Sequence, residues 1–170
     1  MLMLTGARLR EVMLARWDWV NWDARCLELP DSKTGAKRVP LSSHALDELR
    51  RLLAVRTAGH EYIIEGRVAG RPLNNPQDPW QRVRTRADLR GVRIHDLRHS
   101  FASMGVELGM GLPIIGKALG HSSVDTTQRY AHLDADPVLA AAERIGGEIL
   151  ACSRVVPAEV VEVNPEKKHG

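Results

Sequence analysis

Cysteine is scarce in this chain of 170 residues, which contains only Cys26 and Cys152. The two are far apart and neither belongs to a C-x-x-C pair, which argues against a disulfide scaffold and against a cysteine-based metal site. No apolar run approaches the roughly 20 residues that a membrane-spanning helix needs. The apolar start Met1–Leu4 is too short for a signal peptide and lacks a basic lead-in. We therefore expect one cytoplasmic domain of ordinary size with no membrane segment.

The sequence also lacks an obvious carboxylate cluster for Mg²⁺, so we expect no metal cofactor. Positive charge, by contrast, is concentrated in one part of the chain. Residues 1–133 carry 20 basic and 14 acidic side chains, whereas residues 134–170 carry 4 basic and 7 acidic. Arginine supplies 19 of the 24 basic residues, and it is the better side chain for bidentate phosphate contacts. A polyanionic partner fits this distribution, with a solvated charged surface as the simpler alternative. Five arginines crowd one stretch: Arg82, Arg84, Arg86, Arg90 and Arg93.

Hydrophobic spacing predicts a chain that is mainly α-helical with a small antiparallel β-sheet of two or three strands, an α+β fold. A helix that begins at a Ser43 cap should run to about Arg56, and Gly109 and Gly120 should end two later helices. The other helices are expected over residues 8–17, 77–89, 95–108, 113–119 and 137–150, with one more around Tyr130.

A β-hairpin is the main extended feature that the sequence predicts. Residues 19–29 have the composition of an extended segment, residues 31–35 are typical of a turn, and residues 38–41 are predicted as the returning strand. Residues 62–64 are predicted as a further short strand. Residues 66–75 are rich in turn-forming types and are expected to form a loop.

Three short segments carry side chains that suit phosphate chemistry. Arg8 lies in the first, His95 and Arg98 in the second, and His121 precedes Tyr130 by nine residues in the third. Arginine forks and imidazoles can hold and neutralise a phosphate in a transition state. A tyrosine with a pKa of about 10 is a poor nucleophile at neutral pH, but cationic neighbours favour its phenolate form. Each residue alone has a simpler structural interpretation; the set in this order predicts a site.

The same segments resemble the catalytic domain of the tyrosine recombinases, the phage-integrase family. Residues 5–12, T-G-A-R-L-R-E-V, resemble the T-G-x-R-x-x-E box of that family, and residues 32–41 resemble its lysine hairpin. Residues 95–102, H-D-L-R-H-S-F-A, are very close to its H-D-L-R-H-[ST]-F-A box. Residues 119–130 resemble its terminal box, L-G-H followed by T-x-x-Y. The resemblance covers residues 5–133.

This resemblance implies the tyrosine-recombinase catalytic-domain fold, that of DNA breaking-rejoining enzymes, and an activity in site-specific DNA recombination or integration. It implies that Tyr130 attacks the scissile phosphate and forms a 3′-phosphotyrosyl link, releasing a 5′-hydroxyl. Arg8 and Arg98 would clamp the phosphate. Because the bond energy stays in the protein–DNA link, strand exchange would need neither ATP nor a metal or other cofactor.

The resemblance assigns auxiliary roles to the remaining site residues. His95 and His121 would assist by hydrogen bonding and proton handling. Lys33, on the predicted hairpin turn, would act as general acid for the leaving 5′-oxygen. Three further residues match family positions, and we assign them supporting structural roles: Glu11, Asp96 and His99.

Double-stranded DNA and sister subunits are the partners that the resemblance implies, with a tetramer on DNA and a monomer in its absence. The helix at residues 137–150 is the candidate for docking on a neighbouring subunit. Family members of full length have a helical core-binding domain before the first box, whereas four residues precede Thr5 here. We expect residues 1–152 to form the catalytic domain without that N-terminal domain, and residues 153–170 to form a flexible C-terminal tail.

Two other functions remain open at this point. The chain could be a truncated fragment that binds DNA or docks to sister subunits without recombining DNA by itself. It could also bind zinc through His95 and His99, which are four residues apart, together with His121. Against zinc, the pattern is not H-E-x-x-H, and Arg98 beside the site would repel a cation. The sequence leaves open the DNA site, the biological role and whether Tyr130 acts in cis.

Overall fold

The computed structural model of the chain describes residues 1–30, 35–68, 70–120 and 135–153. Three predicted site residues, Lys33, His121 and Tyr130, lie outside these ranges. So do the predicted helix around Tyr130 and the predicted tail beyond Ser153. Within the described ranges, no helix is both long enough and apolar enough to cross a membrane.

The described residues form seven helices and a three-stranded sheet, which confirms the predicted α+β class. The helices are α1 (Leu2–Thr5), α2 (Leu9–Met13), α3 (Ser43–Ala54), α4 (Gln77–Arg86), α5 (Asp96–Glu107), α6 (Leu112–Ala118) and α7 (Ala135–Ser153). A 3₁₀ turn at Trp17–Trp19 precedes the strands, which are β1 (Val20–Asn21), β2 (Cys26–Leu29) and β3 (Lys37–Pro40).

The sheet is antiparallel throughout, with the strand order β1-β2-β3. Leu27 lies at its centre, opposite Val20 on one side and Val39 on the other, and all three are buried. The predicted hairpin corresponds to β2 and β3. The prediction of one extended segment over residues 19–29 was wrong, because a tight turn divides it. In that turn the Asn21 side-chain oxygen accepts a hydrogen bond from the Ala24 amide at 2.8 Å.

Helix α3 begins one residue earlier than the sequence suggested, and its cap is Ser42 rather than Ser43. The Ser42 hydroxyl accepts a hydrogen bond from the Ala45 amide at 3.2 Å. The Ser43 hydroxyl instead donates a hydrogen bond to a Glu143 carboxylate oxygen at 2.8 Å. The same carboxylate also accepts a hydrogen bond from the Ser43 backbone amide. Glu143 belongs to α7, so its negative charge lies at the positive end of the α3 dipole. This contact fastens α7 to the rest of the chain.

Helices α5, α6 and α7 pack closely around a glycine. A Cβ atom at Gly105 of α5 would lie 3.1 Å from Ile115 of α6 and 3.2 Å from Ile145 of α7. Along α7, the buried Val138, Ile145 and Ile149 recur at helical spacing. The apolar face of α7 therefore packs against its own chain in this structure, and docking of the helix on a neighbouring subunit stays a prediction.

One short predicted strand does not form, whereas two predicted helix ends are confirmed. Residues 62–64 do not form the predicted strand, since Tyr62 only makes an isolated bridge with Arg16. The helix ends at Gly109 and Gly120 are confirmed, because both glycines have left-handed φ values, of 71° and 68°. The chain start, which the sequence marked only as apolar, forms α1 and contributes the buried Leu4 to the core.

Candidate active site

Arg8 is held at the start of α2 by a carboxylate one turn further along the helix. Its backbone amide donates to Glu11 Oε2 at 2.7 Å, and its Nη1 donates to Glu11 Oε1 at 2.9 Å. The first contact satisfies an amide that no helical carbonyl reaches at an N-terminus. Glu11 thus orients both the backbone and the guanidinium of Arg8, which accords with the supporting structural role expected for it.

Arg98 reaches across the core from α5 to two backbone carbonyls. Its Nη1 donates to the Gly6 carbonyl, and its Nη2 donates to the Leu119 carbonyl at 2.9 Å. The residue is only 7% exposed, an unusual degree of burial for an arginine. These bonds fix the guanidinium between the segment that precedes α2 and the segment that follows α6.

The three motif segments predicted from the sequence therefore meet in one place, as far as the structure describes them. Arg8 Nη2 donates to the Gly120 carbonyl at 3.3 Å, next to the Leu119 carbonyl that accepts from Arg98. Gly6 packs so closely against Phe101 that a Cβ atom would lie 2.6 Å from the ring. The guanidinium groups of Arg98 and Arg8 are thus held by the consecutive carbonyls of Leu119 and Gly120. His121 is the next residue of the chain.

The electrostatics of this cluster favour an anion. Burial lowers the pKa of Arg98, and the neighbouring Arg8 lowers it further, whereas Glu11 acts in the opposite direction. Burial alone would raise the pKa of Glu11, but hydrogen bonds from Lys37 and Arg8 outweigh it, so that the pKa lies below its usual value. Three cations therefore share one carboxylate, and a further negative charge would relieve their repulsion.

His95 is exposed and immediately precedes α5, one turn before Arg98. The centroid of its ring lies 5.2 Å from the centroid of the His99 ring, and the two ring planes meet at an angle of 86°. Asp96 accepts a hydrogen bond from the Arg93 amide at 2.8 Å, and the hydrogen bonds from Arg93 lower its pKa. Asp96 thus stabilises the start of α5, in accordance with the supporting role expected for it. His95 thus lies exposed just before the helix that buries Arg98.

Lys37 is a site residue that the sequence analysis missed. Its Nζ lies 2.7 Å from Glu11 Oε2, and its side chain is 11% exposed. The alternation of β3 could have revealed it, because Lys37 and the core residue Val39 are two residues apart and lie on the same face of the strand. A charged residue on the buried face of a strand indicates a specific partner.

The arginine-rich stretch is less uniform than its sequence suggests. Three of its members have partners within the chain: Arg84 with the Val92 carbonyl, Arg90 with Asp88, and Arg93 with Asp96. Arg82 and Arg86 are exposed and lie four residues apart on α4, so they share one face of the helix. These two form the part of the cluster best placed to contact an external anion.

His121, one of the three candidate zinc ligands, lies outside the described ranges. Within those ranges, no group of three His, Cys, Asp or Glu side chains is arranged to hold a metal ion.

The sequence model of the phage integrase family matches residues 1–136. Tyrosine recombinase XerA of Pyrococcus furiosus is 31% identical over 155 residues, which cover 85% of this chain and 54% of that protein. Tyrosine recombinase XerC of Xylella fastidiosa is 34% identical over 135 residues, which cover 76% of this chain and 45% of that protein. The chain thus spans about half the length of these relatives.

A solved structure shows the same fold. The integrase of transposon Tn1549, in complex with transposon right end DNA, superimposes with a TM-score of 0.61 at 19% sequence identity. The match covers 88% of this chain and 57% of that chain.

Proposed function

Because the chain belongs to the phage integrase family, we propose that it is the catalytic part of a site-specific tyrosine recombinase, which breaks and rejoins double-stranded DNA. The observation that carries the proposal is the convergence of its motif segments. Arg98 and Arg8 donate to the consecutive carbonyls of Leu119 and Gly120, at 2.9 and 3.3 Å. His121 comes next in the chain. The predicted family and fold are both confirmed.

In the proposed reaction, Arg8 and Arg98 bind the non-bridging oxygens of the scissile phosphate. A guanidinium has five N–H donors. The backbone contacts of Arg98 use one bond from each of two nitrogens, Nη1 and Nη2, and so hold the group while leaving donors for the phosphate. Because both cations are fixed before the substrate arrives, they need little reorganisation as charge develops on the phosphate oxygens.

The covalent chemistry would fall mainly to Tyr130, Lys33 and His121, which lie outside the described ranges, with His95 as a further proton acceptor. The Tyr130 oxygen forms a bond to phosphorus while the bond from phosphorus to the 5′-oxygen breaks. Lys33 gives a proton to the leaving oxygen, and the phenol proton passes to His95 or His121. Attack by the 5′-hydroxyl of another strand on the phosphotyrosine reverses these steps and rejoins the DNA. Neither ATP nor a metal enters this scheme.

Nonspecific affinity for DNA would come from the basic residues outside this cluster. The exposed face of α4 that carries Arg82 and Arg86 is the best-placed surface for phosphate contacts. Several relatives in complex with DNA share the fold, among them the Tn1549 integrase and the XerH recombinase bound to its difH substrate. Assembly with sister subunits on DNA and a cytoplasmic location remain predictions.

A nicked duplex that carries the attachment site of the encoding element, including its flanks, tests the proposal. Cleavage next to the nick releases a short strand, so that the covalent complex accumulates and survives denaturing electrophoresis. Tyr130→Phe should abolish this complex. Tyr62→Phe is the matched control, because Tyr62 is the other tyrosine of the chain and should leave the complex unchanged. A covalent complex that persists in Tyr130→Phe, or none on any attachment sequence, would contradict the proposal.

One observation favours a second candidate, a DNA-binding part that does not recombine DNA alone. The chain spans only 54% of the Pyrococcus relative and 45% of the Xylella relative. A salt titration of DNA affinity in the Tyr130→Phe background addresses it. If Arg82 contacts a phosphate, Arg82→Ala should weaken binding to all sequences and reduce the salt slope by about 1. Binding without any covalent complex in the wild type would favour this candidate.

A further inference from the structure

Lys37 occupies a costly position for a lysine. It lies on β3 opposite the buried Leu29 and shares a face of the strand with the buried Val39. Burial lowers the pKa of its ammonium group, and repulsion from Arg8 and Arg98 adds to this effect. Its ion pair with Glu11 acts in the opposite direction. Buried ion pairs contribute little net stability compared with apolar side chains of similar size, so stability alone does not account for this placement.

The carboxylate that Lys37 contacts is the one that orients Arg8. Glu11 Oε2 accepts from Lys37 Nζ at 2.7 Å and from the Arg8 amide at 2.7 Å, while Oε1 accepts from Arg8 Nη1 at 2.9 Å. With one oxygen held by Lys37, the carboxylate plane cannot turn freely. Any movement of Lys37 would be transmitted through Glu11 to the Arg8 guanidinium.

Lys37 also packs against Gly120, whose carbonyl accepts a hydrogen bond from the Arg8 guanidinium. A Cβ atom at Gly120 would lie 2.8 Å from Lys37 Nζ and 3.2 Å from its Cδ atom. The lysine therefore lies directly against the backbone turn whose carbonyl accepts from Arg8 Nη2 at 3.3 Å. Lys37 thus touches both groups that hold the Arg8 guanidinium, the Glu11 carboxylate and the Gly120 turn.

We propose that Lys37 is a positioning residue of the active site, which fixes Arg8 in its phosphate-binding orientation through Glu11 and the Gly120 turn. The inference rests on the proposed function, because it assigns to Arg8 the contact with the scissile phosphate. Lys37 is distinct from Lys33, the predicted general acid: it is paired with a carboxylate and acts through Arg8. It also anchors β3, the strand that follows Lys33 in the sequence, to the active site.

Lys37→Met tests this role, since methionine keeps most of the length of the side chain and removes the charge. In the free protein, NMR should show a higher pKa for the Glu11 carboxyl group and a more mobile Arg8 Nε–H group than in the wild type. With the nicked duplex, the single-turnover cleavage rate should fall on the order of 100-fold, the cost of an active-site displacement near 1 Å, with little change in DNA affinity. As the pH is lowered, the cleavage rate of the variant should begin to fall at a higher pH than that of the wild type, because Glu11 would become protonated more easily.

Arg38→Met is the matched control, because Arg38 is the next residue of β3, its side chain is 74% exposed, and it pairs with Glu28. It should change neither the NMR signals nor the cleavage rate. Urea unfolding shows whether each variant is folded. If Lys37→Met does not fold, Lys37→Gln takes its place. These controls separate the loss of the Lys37 contact from a general loss of positive charge on the strand.

The NMR comparison of the variant with the wild type is made without DNA, so it tests this inference separately from the proposed function. Unchanged Glu11 and Arg8 signals in the variant would overturn the inference, whatever the activity. Altered signals with a cleavage rate and pH profile equal to those of the wild type would overturn it as well. A wild type that forms no covalent complex would count against the proposed function only, and the NMR comparison would still decide whether Lys37 positions Arg8.

Discussion

Gly6→Ala should destabilise the protein far more than the same change at another glycine of similar backbone conformation. Gly6 has a φ of 61°, and its Cβ would lie 2.6 Å from Phe101 Cδ1 and 2.8 Å from Leu119 Cδ2. Gly109 has a φ of 71°, but among the described residues no heavy atom beyond its chain neighbours lies within 4 Å of its Cβ position. The two substitutions therefore share the backbone strain, and only the change at Gly6 adds a steric clash.

The expected magnitudes follow from these two terms. Left-handed backbone costs a residue with a Cβ atom about 1–2 kcal/mol, which is the whole effect expected for Gly109→Ala. Overpacking a core typically adds about 1–3 kcal/mol. The Phe101 ring is fully buried and cannot move aside easily, so Gly6→Ala should cost about 2–5 kcal/mol in total. A domain of this kind has only about 5–15 kcal/mol of stability to lose.

Urea unfolding followed by circular dichroism measures both variants against the wild type, and equal m-values would show that the midpoints can be compared directly. The midpoint for Gly6→Ala should lie clearly below that for Gly109→Ala. If the two variants lose the same stability, the close contact of Gly6 with Phe101 does not constrain the fold, and the reasoning fails. Gly91→Ala offers a second control, because Gly91 has a φ of 81° and, apart from its chain neighbours, the described part of the chain places no heavy atom within 4 Å of its Cβ position.

Two other predictions concern individual side chains of the site. Glu11→Gln should make the stability of the fold less sensitive to acid. In the folded protein the pKa of Glu11 lies below its unfolded value of about 4.3. The stability that Glu11 contributes is therefore present above that pH and is lost as the pH falls through the folded pKa. Urea unfolding at pH 7 and pH 3 should differ less in the variant, and an unchanged difference would contradict this. Lys33→Ala should slow cleavage of ordinary DNA but spare a substrate with sulfur in place of the scissile 5′-oxygen, because a thiol of pKa about 8.5 leaves without a proton; equal slowing of both substrates in single-turnover assays would argue against a general acid.

Helix ends were among the features that local sequence predicted best. Gly109 and Gly120 adopt the left-handed conformation that ends a helix, and a single residue type largely decides such a position. The start of α3 was displaced by one residue because Ser42 and Ser43 are both suitable caps. Only the tertiary contact between Ser43 and Glu143 of α7 distinguishes them.

The errors in the sheet have a similar origin. Residues 19–29 have the composition of a strand, but Asn21 forms a local hydrogen bond to Ala24 that reverses the chain, and Arg25 takes a φ of 51°. The short segment at Tyr62 has strand-forming residues and still forms only a bridge with Arg16. Strand formation depends on a partner distant in sequence, which composition does not specify.

The candidate site could be predicted as a set of residues but not as a geometry. Motif order singled out Arg8, His95 and Arg98, whereas the contacts that hold the two arginines depend on carbonyl groups that every residue possesses. The contact between Arg8 and Gly120 has no signature in local sequence, because it arises from the way distant segments pack. The burial of Lys37 is indicated only by the alternation of side chains along β3.

The chain contains a single phenylalanine, Phe101, whose ring lies against Gly6 in the first motif segment and belongs to the same helix as Arg98. Biosynthetic replacement with 4-fluorophenylalanine would therefore label one position and give one fluorine resonance. That resonance would report directly on the junction beneath the two arginines, with no assignment step. Addition of DNA or a change of pH could then be followed at the centre of the site in the intact chain.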